Sequence, residues 1–175
     1  MFAPLFPALH WPVLHRLELF FASLLLIYAA MHDVAVRTIP DMVPAVLAAL
    51  GLVSRGVEST LRPSLLAAAL LAASCSYCWW RGWLGGGDVK LLAALALLLP
   101  PHRVLAAIVA IGWCGVAVAL PYVALRRRLT PPAAHRPAGL LARVWRAERF
   151  RLRRGGPLPY GVAIAVGGLL ELFWQ

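Results

Sequence analysis

Residues 13–33 read VLHRLELFFASLLLIYAAMHD, an apolar run that closes on a carboxylate. About 20 apolar residues suffice for a helix to cross ~30 Å of hydrocarbon, so the stretch is long enough to span a membrane. Five more apolar segments follow, at roughly 40–54, 63–80, 88–101, 103–125 and 158–174. Prolines separate them: Pro40 and Pro44, Pro63, Pro100 and Pro101, Pro121, then Pro157 and Pro159. The third and fifth segments match a full span, whereas the second and fourth are short and call for tilt or local thinning of the bilayer. Runs such as Ala67-Ala68-Ala69 and Gly167-Gly168 allow helices to approach closely in lipid. The expectation is an all-α polytopic membrane protein of about six transmembrane helices, with residues 1–175 as a single domain.

The composition agrees. Of 175 residues, 62% are hydrophobic and 14% charged, and the mean hydropathy is +0.78. An ordinary soluble domain runs nearer ~45–50% apolar and ~25% charged. No cleavable signal peptide is expected, because the N-terminus lacks a basic region and the first apolar run ends in His32-Asp33.

The net charge of +10 does not point to nucleic acid. Ten of the seventeen Lys and Arg residues fall between Arg126 and Arg154, flanked by apolar runs. A basic cytoplasmic loop over 126–157, touching anionic lipid headgroups, accounts for them. Within it, Leu140, Leu141, Val144, Trp145 and Phe150 alternate with arginines at helical spacing. An amphipathic helix on the inner leaflet and a solvated basic linker both fit that pattern. With six spans, the loops after the odd-numbered ones carry thirteen basic residues against four on the other side. The odd loops are therefore expected in the cytoplasm and both termini outside. Trp79, Trp80 and Trp83 would then mark the cytoplasmic interface.

Only seven acidic residues are present: Glu18, Asp33, Asp41, Glu58, Asp88, Glu148 and Glu171. Asp33 closes the first span and Asp88 opens the fourth, so the same parity puts both at the cytoplasmic face. Two carboxylates brought together by different helices are the minimum equipment of an aspartyl protease. Like charges held close cannot both ionise easily, so the pair shares a proton. The ionised member takes a proton from water while the protonated member polarises the scissile carbonyl. With Pro100 to Arg103 marking the outer face, Asp88 lies about fourteen residues earlier, or roughly 21 Å along a helix at ~1.5 Å per residue. That falls some 5–10 Å short of the ~30 Å slab, so Asp88 is expected below the headgroups or in a wet depression.

Gly85-Gly86-Gly87-Asp88-Val89-Lys90 adds backbone room for an extended substrate beside the carboxylate. It is no Walker loop, since no G-K-[ST] follows. Lys90 is expected to pair with an acidic group or a lipid phosphate. Arg37, four residues after Asp33, would pair with it if the helix continues. His32 reads as an interfacial polar residue. His10, His15, His102 and His135 have no metal-site spacing, and Cys75 and Cys78 read as small buried residues of a membrane helix, so no metal or cofactor is expected.

Three stretches resemble the type IV prepilin peptidase family, a branch of the G-x-G-D aspartyl proteases. Asp33-Val34-Ala35-Val36-Arg37-Thr38-Ile39-Pro40-Asp41 looks like its first catalytic aspartate, a basic residue and an Ile-Pro-Asn turn. Gly85-Gly86-Gly87-Asp88-Val89-Lys90-Leu91-Leu92 is similar to its G-x-G-D-x-K-L signature, and Leu158-Pro159-Tyr160-Gly161 to the Pro-Tyr-Gly opening of its last helix. The resemblance implies a G-x-G-D protease-like bundle with Asp33 and Asp88 catalytic. Gly85, Gly86, Gly87, Lys90, Arg37, Ile39, Pro40, Pro159 and Tyr160 would support the site or bind substrate. The implied activity is removal of the N-terminal leader of a prepilin-like subunit at the cytoplasmic face of a bacterial inner membrane. Asp41 departs from the expected Asn and reads as an N-cap or interfacial residue. Nothing corresponds to the cysteine-rich methylating part of longer members, so the chain resembles the short class serving Flp-type tight-adherence pili. Three other readings compete. A presenilin or signal-peptide-peptidase relative would show Tyr before the first aspartate and a Pro-Ala-Leu element. A transporter or proton-coupled channel would place Asp33 and Asp88 along a polar pathway. A non-catalytic assembly subunit would keep the helices without needing both carboxylates.

Overall fold

The computed structural model describes residues 11–126, 139–154 and 158–174. The described residues form seven α-helices and no strand. These are α1 (Trp11–Val36), α2 (Met42–Val57), α3 (Leu61–Trp80), α4 (Gly86–Leu98), α5 (Val104–Arg126), α6 (Leu140–Arg154) and α7 (Tyr160–Phe173), with a short 3₁₀ turn at Pro101–Arg103 before α5. The chain is an all-α membrane protein. Val13–Val36, Leu61–Trp80 and Pro101–Leu125 are long and apolar enough to cross a bilayer, and α2 and α7 are shorter apolar helices. The basic segment is helical over Leu140–Arg154, which decides between the two readings of its spacing in favour of a helix.

Helix α4 is the innermost element. Leu91, Leu92 and every residue from Ala94 to Leu99 are buried, and a helix apolar all round belongs inside a bundle. It packs between α2 and α3 and touches α7, while α7 packs between α1 and α5. Large apolar side chains that remain exposed, such as Phe20, Leu66, Leu105 and Trp113, face the lipid expected around the bundle.

Two crossings depend on glycine. A Cβ on Gly51 would fall 2.7 Å from the Leu98 backbone nitrogen, and one on Gly167 would fall 2.7 Å from Ile111 Cα. In lipid, close backbone approach of this kind replaces the hydrophobic drive that packs soluble helices. Alanine at Gly51 or Gly167 is expected to push these helices apart at a cost of about 1–3 kcal/mol. The check is a lower thermal unfolding midpoint of the detergent-solubilised protein, with Gly112→Ala as the neutral comparison because its added Cβ meets nothing within 4 Å.

Candidate active site

Helix α1 ends one turn beyond Asp33, and the connection to α2 folds back through Thr38, Ile39 and Pro40. His32 Nδ1 donates to the Thr38 carbonyl at 2.6 Å, so His32 serves the turn and does not act on its neighbour. Ile39 is buried and sits against Gly87, where an added Cβ would lie 3.2 Å from Ile39 Cβ. Gly87 thus lets the α1–α2 turn lean on the start of α4, which brings the two aspartate-bearing helix ends together.

Each aspartate is held at a helix N-terminus. Asp88 is the third residue of α4, whose N-cap is Gly85, and its carboxylate lies beside Gly85. That is the position from which the acidic side chain of a capping box reaches back over the first turn. Asp33 is buried and accepts from the Gly161 N–H at 2.8 Å. Gly161 lies in the first turn of α7, after the N-cap Pro159, where N–H groups lack a partner within the helix and the dipole favours negative charge. Asp33 therefore caps α7 from another helix. An added Cβ on Gly161 would come within 2.9–3.0 Å of the Asp33 carboxylate and Cβ.

Both aspartates open into one cavity of about 800 Å³, close enough for the Asp33 charge to act on Asp88. Gly85, Trp83, Leu84, Leu158 and Tyr160 also line it, with Cys75 and Cys78 of α3 on its wall. Tyr160 fits because Gly115 of α5 has no side chain; a Cβ there would stand 3.1 Å from the ring. The space is walled mainly by apolar side chains, and both carboxylates line it.

The chain matches the family model described as the type IV leader peptidase family over residues 20–120. The chain belongs to the type IV leader peptidase family. Both aspartates and the glycine run of this leader peptidase family member fall inside the matched region. A prepilin leader peptidase/N-methyltransferase of Xanthomonas campestris pv. campestris is 27% identical over 151 residues, covering 81% of this chain and 44% of the relative. The chain thus spans less than half the length of that relative. No solved structure matches it significantly.

Several expected contacts took another form. Arg37 does not continue the helix to pair with Asp33: its φ is +63°, and its guanidinium meets both carboxylate oxygens of Glu148 at 2.6 and 2.8 Å. Arg37 still lines the cavity. Lys90 does pair with an acidic group as expected, Asp41 at 2.7 Å, on the exposed side of α4 and away from the cavity. Asp41 makes no side-chain cap on α2 because its own backbone is already helical. Pro159 is buried behind the site, and Gly86 lies beside the Trp79 ring. Gly161 and Glu148 stood outside the expected set. Gly161 was visible only as the end of a motif, and Glu148 as one acid within a basic run.

Proposed function

We propose that this protein is an aspartyl endopeptidase that removes the N-terminal leader of a prepilin-like subunit, with Asp33 and Asp88 as its catalytic pair. The observation that carries the reading is that two carboxylates, from different helices, line one cavity. One carboxylate takes a proton from water, and the water oxygen attacks the scissile carbonyl carbon. The other gives its proton to the carbonyl oxygen. Collapse of the tetrahedral intermediate expels the amine, which takes up a proton, and restores the shared-proton pair. Gly85, which lines the cavity, leaves room for the extended substrate backbone and Tyr160 packs against it, while Gly86 and Gly87 instead make room for Trp79 and Ile39. Ile39, Pro40 and Pro159 shape the turns that carry the aspartates.

The proposed setting is the inner membrane of a bacterium, with the site at the cytoplasmic face and both chain ends opposite. The distribution of basic residues supports that orientation. Helix α6, within one peptidase domain, lies on that side against anionic lipid, with Trp145 and Phe150 exposed; residues 127–138 and 155–157 of the basic 126–157 segment lie outside the described residues. The Flp-type pilus systems are the proposed partners. Methyl transfer, which the relative's name includes, is not carried over, and family membership tells against a transporter.

Co-expression with a prepilin-like subunit tests the reading, by following the leader on a gel. The wild type is expected to shorten the subunit. Asp41→Asn is expected to process it within about 2–3-fold of wild type, because an exposed ion pair contributes little. Loss of processing in Asp41→Asn would bring a third carboxylate into the site.

A further inference from the structure

Helix α6 reaches the active-site end of α1 through one buried acid. Glu148 is 5% exposed, and its carboxylate accepts from Arg37, from the Tyr122 hydroxyl at 2.9 Å and from Arg151 at 3.0 Å. The two arginines finish α1 between them. The Arg37 backbone N–H donates to the Asp33 carbonyl at 2.9 Å, closing the last turn with a residue in the left-handed region, a position usually filled by glycine. Arg151 donates to the Val34 and Ala35 carbonyls at 3.1 and 3.2 Å, two acceptors that a helix end leaves without an intrahelical partner. A non-glycine residue is strained at positive φ, because its Cβ crowds the backbone. The ion pair to Glu148 offsets that strain and explains why the chain tolerates an arginine there.

We propose that Glu148 is a positioning residue: through Arg37 and Arg151 it fixes the final turn of α1, and so the direction in which Asp33 faces Asp88 and the Gly161 amide. The proposal rests on the catalytic reading of Asp33 only for its effect on rate. Its structural half, that Glu148 holds the Asp33 side chain, stands apart from that reading. The basic segment then acts as a strap across the active-site end of α1, in addition to being a lipid contact.

The test uses the full chain in nanodiscs of defined anionic lipid, with a synthetic leader-and-stem peptide as substrate and amide hydrogen exchange as a second readout. Glu148→Gln is expected to lower kcat by about 10–100-fold with KM changed little, the scale expected when a catalytic group is displaced by about 1 Å. Glu148→Asp is expected to recover most of the loss. Exchange at the Gly161 amide, protected by Asp33, should quicken in Glu148→Gln while α4 amides at Leu95–Leu98 keep their wild-type rates. Wild-type kcat together with unchanged exchange at Gly161 would overturn the proposal. So would uniform quickening across the bundle, which is the signature of general loosening. Arg151→Gln keeps the Glu148–Arg37 pair, releases the two α1 carbonyls and decides the matter by the same readouts if Glu148→Gln does not fold. If Asp33→Asn cleaves normally, the catalytic reading fails, and the exchange at Gly161 still judges whether Glu148 holds the Asp33 side chain.

Discussion

Asparagine at either Asp33 or Asp88 is expected to cut leader processing by about 10²–10⁴-fold, the range that positioned acid–base groups contribute. The amide keeps the shape of the carboxylate but can neither take a proton from water nor lend one to the scissile carbonyl. At position 33 an amide oxygen still accepts from the Gly161 N–H, so α7 keeps its cap, and at position 88 the amide fits the same space beside Gly85. Both variants should therefore accumulate in the membrane like the wild type and still bind substrate. The two single losses should be nearly as large as that of the double variant, because a dyad acts as a unit. Immunoblotting of the co-expressed subunit over time checks both the rate and the protein level.

The second large effect is expected from a single methyl group. Gly161→Ala would place a Cβ 2.9 Å from the Asp33 carboxylate oxygen and 3.0 Å from its Cβ. The second contact decides the outcome, because the Asp33 Cβ is fixed to the α1 backbone and cannot swing aside as a flexible side-chain end can. Either α7 or α1 must move, and the 2.8 Å hydrogen bond from the Gly161 amide lengthens with it. A misplacement of about 1 Å at a catalytic group costs about 100-fold in rate, so a loss of about 10–100-fold is expected here. Gly115→Ala faces only the Tyr160 ring at 3.1 Å, which can shift, so its loss should be much smaller. The check is kcat for the two variants on one peptide substrate, read beside their unfolding midpoints.

Local patterns carried the helices and the two aspartates, and long-range contacts carried what was missed. Apolar runs between prolines marked out the spans because hydropathy and proline act on the residues where they stand. Asp33 and Asp88 stood out because the chain has only seven acidic residues and these two fall in the motifs that follow the first run and open the fourth. The Arg37–Asp33 pair was expected from helical spacing, and it failed because the helix stops at Val36 and Arg37 turns left-handed towards an acid 111 residues away. Glu148 sits among arginines in the sequence, and only the folded chain shows that two of the cations it binds end α1. The Gly161 contact uses a backbone N–H, a group that every non-proline residue has. Composition and periodicity therefore cannot single it out.

The most direct test of the account is mass spectrometry of a synthetic leader-and-stem peptide incubated with the purified full chain in proteoliposomes. Wild type is expected to yield one new N-terminus just before the apolar stem, and neither Asp33→Asn nor Asp88→Asn should yield it. The same product formed at wild-type rate by either variant would contradict the assignment of Asp33 and Asp88 as the catalytic pair.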